Sequence, residues 1–434
     1  MKKIQGLKER PVYLSRLKAF QDSEEVKVIS GIRRCGKSSL LKLMINSLID
    51  EGKTDKQLLL MNFESMQYRS MTAMDLYLYV KERLPKNKRI YIFFDEIQHV
   101  PGWQDAVNSM RVDFDCDIYL TGSNAYLLSN EMATYLSGRY IEIKMLPLGF
   151  AEYISFHGYT LETAQNPLGG VKHCVRKDGR QTALDELFES YLKFGGFPGV
   201  VETDFNYDKA LIILDGIYTS VIMRDVLERE RRNNERTPSN PLLLKKIVYF
   251  LSDSIGSPVS FSSIGKALAS VGLASDEKAT PMTIQAYVTA LCDAFIFYDI
   301  KRFDIKGKEF LKTLGKYYIA DIGLRNFLLG MRNRDRGHIL ENVVFFELKR
   351  RGFDVSVGKI GDAEIDFIAA SVEKKIYIQV AESLKSADVR KRELLPLQKI
   401  EDNYEKIILS LDLESEEYDG IKTVNLIEWL IRER

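Results

Sequence analysis

The stretch VKVISGIRRCGKSS, residues 26–39, places a glycine-rich loop directly between a strand and a helix. Its first five residues are rich in β-branched apolar side chains, as in a buried strand, and the residues after Lys37 follow helical spacing. Between them, residues 31–38 match the pattern GxxxxGK(S/T) at every fixed position. Such a loop wraps its backbone N–H groups around a phosphate at the positive end of the following helix. The stretch therefore predicts a phosphate-binding loop.

The residues of this loop have distinct expected roles. Lys37 is expected to reach the β and γ oxygens of a nucleoside triphosphate, and the Ser38 hydroxyl to ligate Mg²⁺. For Arg33 and Arg34, phosphate contact and simple solvent exposure are both open. The predicted cofactors are ATP and Mg²⁺, and the remaining expected nucleotide contacts are Gly31, Arg34, Cys35, Gly36 and Ser39.

A second segment, RIYIFFDE at residues 89–96, is an apolar strand that ends in two carboxylates. At this distance from a phosphate-binding loop, Asp95 is expected to hold the magnesium shell. Glu96 is expected to orient or deprotonate the attacking water. The functional glutamate favours hydrolysis over mere nucleotide binding.

Two further positions are candidates for contact with the reacting phosphate. The strand that begins at Ile118 ends in small polar residues, and Ser123 or Asn124 is the candidate contact to the γ-phosphate or the water. Arg139 follows what the pattern indicates as a helix end, where an arginine stabilises transition-state charge in the same chain or across a subunit interface. The alternative for Arg139 is an exposed residue facing the helix dipole.

The composition is that of an ordinary globular protein, with 434 residues and 62 Lys and Arg against 61 Asp and Glu. This length predicts about three domains. A net charge of +1 means that binding to nucleic acid or anionic lipid must come from local patches. Four scattered cysteines indicate a reducing compartment, and the lack of a signal peptide or a long apolar run predicts a cytoplasmic protein with no membrane contact.

The pattern along the chain predicts a mostly parallel sheet covered by helices, followed by a helical region. Predicted strands are 26–30, 57–62, 90–94 and 118–121, and predicted helices follow Lys37 and lie around 74–84 and 103–112. Further along, 150–159, 183–194 and 208–232 are predicted helices, whereas 169–180 is predicted to be a loop and 195–199 a sharp break.

Three helices followed by a β-hairpin, over residues 242–316, indicate a winged helix. The helix 283–292 is its expected recognition helix, with Thr283, Gln285 and Tyr287 as the polar face. DNA or RNA binding through residues 283–316 and contact with a protein partner are both open, since the recognition helix has no Arg or Lys. The basic residues that favour nucleic acid are Lys301, Arg302, Lys306, Lys308, Lys312 and Lys316.

These segments together resemble the bacterial and archaeal AAA-type P-loop ATPases that carry a C-terminal domain of unknown function. In the first half, the resemblance depends on GIRRCGKSSL (31–40), IYIFFDEIQHVPGW (90–103), YLTGSNAYLL (119–128), LSGRYIEIKMLPLGFAEY (136–153) and FGGFPGVV (194–201). It continues through KYYIADIGLRN (316–326), GHILENVVFFELKRRGFDV (337–355), EIDFI (364–368) and IYIQVAESL (376–384). The resemblance implies a helical and winged-helix middle and a nuclease-like final domain.

The final unit resembles the PD-(D/E)xK nuclease fold, with Glu341 on its first helix and Asp366 on a strand. Gln379 and Ala381 stand where that superfamily has the second carboxylate and the lysine. That chemistry needs carboxylates to hold Mg²⁺ and a lysine to activate water, so a degenerate site with no cleavage is expected. Lys385 or Glu382 is the open alternative as a substitute.

The predicted fold class is therefore α/β: an AAA-like P-loop parallel sheet, then a helical and winged-helix region, then a PD-(D/E)xK-like domain. The predicted domains are 1–148 (ATPase), 149–236 (helical lid or linker), 237–325 (winged-helix-like) and 326–434 (restriction-endonuclease-like). The predicted function is Mg²⁺-dependent ATP hydrolysis that moves the last two modules and acts on nucleic acid or a protein partner. A slowly hydrolysing nucleotide-gated switch and an ATP-dependent endonuclease are the alternatives, and a homo-oligomer is open.

Overall fold

A computed structural model describes residues 3–123, 138–164, 171–176, 178–179, 181–226, 240–270, 280–311, 315–332, 335–413 and 416–432. The chain divides into two compact units, residues 1–146 with 293–295 and residues 147–292 with 296–434. None of the helices in these ranges combines the length and the apolar character that a membrane span needs.

The first unit is built on a parallel five-stranded sheet with the order β2-β3-β4-β1-β5. Its elements are α1 (Pro11–Ala19), β1 (Val26–Ser30), α2 (Lys37–Asp50), β2 (Leu58–Asn62), α3 (Ala73–Lys81), β3 (Ile90–Asp95), α4 (Trp103–Asp113), β4 (Cys116–Gly122) and β5 (Tyr140–Lys144). The predicted parallel sheet is confirmed. Because the strands are parallel, the carboxyl ends of β1, β2, β3 and β4 meet at one edge of the sheet.

One apolar core joins the sheet to α3 and α4. Every residue of β3 is buried, and Ile92, Leu120 and Val28 from three strands pack with Val107 and Trp103 of α4. Trp103 therefore belongs to the core. The interior also holds an ion pair, because the Lys27 ammonium lies 2.6 Å from a carboxylate oxygen of Asp117 on the neighbouring strand.

The second unit begins with a helix and a small antiparallel sheet, β6-β7-β8, and continues with helices. Its first elements are α5 (Phe150–Phe156), β6 (Tyr159–Ala164), β7 (Val171–Arg176), β8 (Gln181–Ala183), α6 (Leu184–Phe194), α7 (Pro198–Val201) and α8 (Tyr207–Ile217), with a π-helical segment at Tyr218–Asp225. The prediction of a loop over 169–180 is wrong. Residues 171–176 form β7, although their polar sequence does not indicate a strand. The strand forms because its backbone N–H and C=O groups pair with β6 on one side and β8 on the other. The helix predicted over 150–159 ends at Phe156, because the chain from Tyr159 onward forms β6 and pairs with β7.

The middle of the unit carries three helices and a three-stranded antiparallel sheet with the order β10-β13-β9. These elements are α9 (Pro241–Asp253), β9 (Pro258–Val259), α10 (Phe261–Ser270), α11 (Pro281–Asp293), β10 (Phe297–Ile300) and β13 (Gly315–Ile319). The segment between β10 and β13 departs from a simple hairpin. Its two strands, β11 (Arg302–Asp304) and β12 (Glu309–Phe310), pair with each other, and β11 also pairs with β14 of the next sheet.

The last sheet has eight strands in the order β12-β11-β14-β15-β16-β17-β19-β18, and it mixes antiparallel and parallel pairs. Its other elements are α12 (Ile322–Leu329), α13 (Arg336–Arg350), β14 (Asp354–Ile360), β15 (Ala363–Ala370), β16 (Lys375–Val380), α14 (Ala387–Gln398), β17 (Glu405–Ser410), β18 (Glu417–Tyr418), β19 (Ile421–Asn425) and α15 (Leu426–Ile431). The sheet therefore begins before residue 325, where the predicted domain boundary lies.

The predicted chain break after α6 is a tight turn held by one buried carboxylate. An oxygen of Asp321 accepts the backbone N–H of Gly196 at 2.6 Å, and its other oxygen accepts the N–H of Leu324 at 3.0 Å. Burial raises the pKa of Asp321 to about 6, although these backbone hydrogen bonds oppose the shift. Gly195 has φ +77°, and a Cβ there would lie 2.1 Å from Asp321 Oδ1. Only glycine fits this turn.

We predict that Gly195→Ala lowers the free energy of unfolding of the second unit by about 1–3 kcal/mol, because the new Cβ meets Asp321 and the positive φ disfavours alanine. Urea denaturation followed by circular dichroism measures the change. Gly199→Ala is the matched control, since a Cβ at that position comes no closer than 3.8 Å to Ile213. Equal stability of the two variants would contradict the explanation.

Candidate functional site

The glycine-rich loop between β1 and α2 has the backbone that its sequence requires. Gly36 has φ +106° and Arg34 has φ +67°. A Cβ on Gly31 would lie 2.1 Å from the carbonyl oxygen of Met145, so that residue must be glycine. The loop is also held from outside, because the buried Arg10 donates a hydrogen bond to the carbonyl of Cys35 at 3.1 Å.

The side chain of Cys35 is directed into the protein. It is buried, and its Sγ lies 3.5 Å from the carbonyl oxygen of Met145. Burial raises the pKa of this thiol. Any contact of Cys35 with a nucleotide would therefore come from its backbone.

The Lys37 ammonium lies inside the curve of the loop. Its side chain is 4% exposed, and Nζ donates hydrogen bonds to the carbonyls of Gly31 at 2.9 Å and Ile32 at 3.3 Å. The same nitrogen lies 3.8 Å from Glu96 Oε1. The loop lysine and the glutamate after β3 are therefore neighbours.

Asp95 is the centre of a hydrogen-bond cluster at the carboxyl edge of the sheet. Its Oδ1 accepts bonds from the hydroxyls of Thr121 at 2.6 Å and Ser38 at 3.0 Å, and its Oδ2 accepts the Asn62 amide at 3.2 Å. Burial raises the pKa of Asp95, while the hydrogen bonds from Thr121 and Ser38 oppose the shift. The hydroxyl of Ser38 beside this carboxylate is an oxygen donor set that fits Mg²⁺.

Glu96 has a strained backbone and a fully engaged carboxylate. Its φ is +56°, and its N–H donates to the Thr121 hydroxyl at 2.9 Å. One carboxylate oxygen accepts bonds from Ser123 and Gln98. Burial alone would raise the pKa of Glu96, but the nearby Lys37 charge and these two hydrogen bonds hold it below its ordinary value. The side chain is therefore an anion at neutral pH.

The structure brings together Lys37, Ser38, Asp95, Glu96 and Ser123 from the predicted set. Three further members of this cluster, Asn62, Gln98 and Thr121, have no motif of their own in the sequence. Their only signal is position: Asn62 and Thr121 stand at or near the ends of strands that lie on either side of β3.

Two other predicted residues have a different outcome. Asn124 lies outside the described residues. Arg139 is exposed and immediately precedes β5, whose first residue pairs with Val26 at the start of β1. Its backbone therefore lies at the sheet edge opposite the loop, about 15 Å away along a five-residue strand. This placement does not bring Arg139 to the site of its own chain, so a role across a subunit interface and simple exposure to solvent are the alternatives that stay open.

The arginines of the loop have separate surroundings. Arg33 forms an ion pair with Glu64, and Arg34 is exposed. Ser39, at the first turn of α2, is exposed as well. Phosphate contact by Arg34 and Ser39 stays a prediction.

The predicted nuclease-like residues form a second cluster in the other compact unit. Glu341 Oε2 accepts the Tyr318 hydroxyl at 2.9 Å, and Asp366 Oδ2 accepts the N–H of Val380 at 2.9 Å. Gln379 bridges two neighbours: its Oε1 accepts the Asp366 N–H at 2.7 Å and its amide donates to Glu393 at 3.0 Å. The proposed substitutes Lys385 and Glu382 are both exposed, and Glu382 pairs with Arg336.

This cluster contains a lysine that sequence reasoning placed elsewhere. Lys316 was predicted to belong to the basic wing, the set of six basic residues expected to favour nucleic acid. It is buried and lies 2.8 Å from Glu364 and 3.6 Å from Glu341. Burial alone would lower the pKa of Lys316, but Glu341, Asp366 and Glu364 raise it above its ordinary value. Burial and the charge of Glu341 raise the pKa of Asp366 well above the usual range. For Glu341, His338 and Lys316 outweigh burial and lower the pKa.

The basic wing is therefore smaller than predicted. Arg302 also pairs with Glu364, at 3.4 Å, because β11 joins the sheet that contains β15. Lys312 lies outside the described residues. The exposed members are Lys301, Lys306 and Lys308.

The predicted polar face of α11 is also partly wrong. Tyr287 is buried, and its hydroxyl accepts the backbone N–H of Asn240 at 2.8 Å. Its aromatic ring belongs to the core beneath the helix. Gln285 is exposed and Thr283 is partly exposed, so these two residues agree with the predicted polar face of the helix.

Comparison with known proteins agrees with the loop and the sheet. The chain is 38% identical over 426 residues to an uncharacterized protein of Haemophilus influenzae, which covers 98% of each chain. An AAA domain is matched at residues 23–154 and a domain of unknown function at 185–335. The chain belongs to the AAA-domain P-loop family. An uncharacterized protein of Methanocaldococcus jannaschii is 29% identical to this AAA protein over 398 residues, 90% of this chain and 80% of that one.

Solved structures similar to this AAA protein include a Walker-type ATPase of Pyrococcus abyssi, with 16% identity, a TM-score of 0.47, and coverage of 74% of this chain and 95% of that one. The AMPPCP-bound DnaA of Aquifex aeolicus has 15% identity, a TM-score of 0.30, and covers 67% of this chain and 95% of its own. At TM-scores below 0.5 these likenesses carry no further conclusion about this chain.

We predict that Thr121→Val, which replaces the hydroxyl with a methyl group of similar size, lowers the free energy of unfolding of the AAA domain by about 1–3 kcal/mol. The buried Asp95 oxygen loses its 2.6 Å hydrogen bond, and the Glu96 N–H loses its acceptor. Thermal denaturation without nucleotide measures the change. Thr121→Ser keeps the hydroxyl and is expected to recover most of the stability; equal losses in both variants would argue against a hydrogen-bonding role.

Proposed function

We propose that this AAA protein binds ATP with Mg²⁺ and hydrolyses it. The observation that carries the proposal is the convergence of Lys37, Ser38, Asp95 and Glu96 at the carboxyl edge of one parallel sheet. Each has the chemistry that phosphoryl transfer to water needs: a cation for the phosphates, oxygen donors for a metal and a carboxylate for the water.

In this proposal the loop N–H groups and Lys37 bind the phosphate tail and orient it. Ser38 and Asp95 would hold Mg²⁺, which supplies neutralisation of the phosphate charge when bound. Glu96, an anion at neutral pH, positions the attacking water and takes its proton. Thr121 is a positioning residue, since it bonds both to the Asp95 carboxylate and to the Glu96 backbone.

Lys37 has two sets of partners in this scheme. Its present acceptors are two loop carbonyls and the Glu96 carboxylate, which lies 3.8 Å away. A triphosphate carries more negative charge than these acceptors and would attract the ammonium away from Glu96. The carboxylate would then lose one cationic neighbour as the substrate arrives, which leaves it more basic toward water.

We predict that Lys37→Ala abolishes nucleotide binding and that Glu96→Gln keeps binding but lowers the rate of phosphate release by about 10²–10⁴-fold, the usual contribution of a general base. Phosphate release and nucleotide affinity of the purified full chain measure the two effects. Lys81→Ala and Glu82→Gln are matched controls, because both residues are exposed on the surface near the end of α3. Equal rates in all five proteins would refute the ATPase proposal.

A slowly hydrolysing nucleotide-gated switch is the second candidate. The observation that favours it is the restraint of Glu96 by Lys37, Ser123 and Gln98, since a glutamate with all these partners is a poor base. Slow turnover with tight retention of ADP would distinguish the switch from an active ATPase. The same measurements on Gln98→Ala test the restraint, which predicts faster turnover in that variant.

We further propose that the middle of the chain is a winged-helix-like module and that the last domain has a PD-(D/E)xK-like fold. The order α9-β9-α10-α11-β10-β13 supports the first, with the wing strands on one antiparallel sheet. The arrangement of α13 followed by β14, β15 and β16, with Glu341 on α13, Asp366 on β15 and Gln379 on β16, supports the second. The coupling of nucleotide state to movement of these modules belongs to the same proposal.

Nucleic acid is the proposed partner of the wing, and three exposed lysines at and beside the β11–β12 turn support this. We predict that replacing Lys301, Lys306 and Lys308 with alanine weakens binding to DNA or RNA and makes it less salt-dependent. The slope of log K against log salt is negative, and its magnitude decreases by about 0.9 for each lost contact to a phosphate of duplex DNA. Fluorescence anisotropy over a salt series measures both quantities. Replacement of Lys56, Lys86 and Lys88, which lie in the AAA domain and are exposed, is the control. Equal slopes in the two triple variants would remove nucleic acid from the proposal.

A further inference from the structure

Lys316 places a positive charge at the centre of the nuclease-like cluster. It projects from β13 and is 3% exposed. Its ammonium nitrogen lies 2.8 Å from Glu364 on β15 and 3.6 Å from Glu341 on α13. Three elements from different parts of the second unit therefore meet at one ammonium group.

The carboxylate oxygens around this ammonium are already committed to protein donors. Glu341 accepts the Tyr318 hydroxyl at 2.9 Å on one oxygen and lies 3.2 Å from His338 Nδ1 on the other. Glu364 shares its two oxygens between Lys316 at 2.8 Å and Arg302 at 3.4 Å. These contacts are those of a saturated ion-pair network.

The remaining predicted ligands are committed as well. Asp366 accepts the backbone N–H of Val380, and the carbonyl oxygen of Gln379 accepts the N–H of Asp366. Mg²⁺ demands oxygen ligands at about 2.0–2.1 Å in near-octahedral geometry. The residues present do not fit the metal that a PD-(D/E)xK fold implies.

The balance between cations and carboxylates in this cluster also argues against a bound metal ion. A nuclease of that fold keeps a metal and a lysine, and the lysine stands on the strand where this chain has Ala381. Here Lys316 on β13 and Arg302 on β11 face Glu341, Glu364 and Asp366. The two protein cations therefore offset two of the three carboxylates, which reduces the negative charge that could attract a divalent ion.

We propose that the Lys316 ammonium occupies the position of the divalent cation in this nuclease-like centre, so that the centre takes no metal and locks β13 to α13 and β15. It is a structural junction and has no cleavage chemistry. The proposal rests on the PD-(D/E)xK-like fold proposed above, concerns the second unit alone and stands whether or not the AAA domain hydrolyses ATP.

The first test removes the ammonium from the nucleotide-free full chain. In EDTA, we expect Lys316→Ala to lower the Tm by at least about 5 °C, because the buried Glu341 loses its lysine partner and Glu364 keeps only its longer contact with Arg302. We expect millimolar Mn²⁺ to restore at least half of that loss, since alanine leaves space for an ion among the carboxylates. The restoration is expected to vanish in the double variant Lys316→Ala/Asp366→Asn.

Lys308→Ala, which removes an exposed lysine of the same region, is the matched control and should melt like the unmodified protein. A Lys316→Ala variant as stable as the unmodified protein would overturn the proposal. A loss of stability that Mn²⁺ does not reverse would also overturn it, because the position would then not be a cation site.

The second test uses the unmodified chain and decides the question even where Lys316→Ala does not fold. Mn²⁺ titration followed by electron paramagnetic resonance is compared with that of Asp366→Asn, a change that leaves the Ser38–Asp95 site intact. Identical titrations, together with no Mn²⁺-dependent cleavage of DNA or RNA, are the expected result. A Mn²⁺ site or a cleavage activity that disappears in Asp366→Asn would refute the assignment of Lys316.

Discussion

The candidate site depends on one buried carboxylate, that of Asp95. Its two oxygens accept hydrogen bonds from Ser38, Thr121 and Asn62, which belong to α2, β4 and β2. Because β3 lies between β2 and β4, a carboxylate at its end is in reach of both neighbours and of the helix that follows β1. A buried anion is tolerable only when it is fully hydrogen-bonded, so this cluster holds the ends of three strands in one arrangement.

The local part of this arrangement could be predicted from the sequence. The loop motif, the strand before it and the two acidic residues after β3 are contiguous patterns, and their chemistry follows from residue type and spacing. The predicted carboxyl ends of β1 to β4 agree with the structure to within one residue. They could be predicted because buried parallel strands are short apolar runs with polar residues directly after them. The resemblance to a nuclease fold identified Glu341 and Asp366 as members of one cluster, although the lysine it left open as a substitute was Lys385, which is exposed.

The parts that escaped prediction are contacts between residues far apart in the chain. Thr121 and Asn62 acquire their roles only because β3 lies between their strands, and strand order is not written in any local pattern. β7 was predicted as a loop because its strand character comes from pairing with β6 and β8. Lys316 was counted with an exposed wing because five other basic residues precede it, yet the return of β13 into the small sheet buries it against α13 and β15.

Lys37 and Lys316 both face carboxylates, and their surroundings give them opposite properties. Lys37 lies 3.8 Å from Glu96 and donates mainly to loop carbonyls, so its ion pair is loose and an anion of higher charge can displace it. Lys316 lies 2.8 Å from Glu364, with Glu341 on its other side, and its departure would take the lysine cation from the buried Glu341 and leave Glu364 with Arg302 alone. An uncompensated buried charge costs several kcal/mol. Lys316 is therefore fixed in place, whereas Lys37 can exchange partners. A lysine can therefore serve as a ligand-responsive group in the AAA domain and, on β13 of the second unit, as a fixed structural cation between the small sheet and the C-terminal sheet.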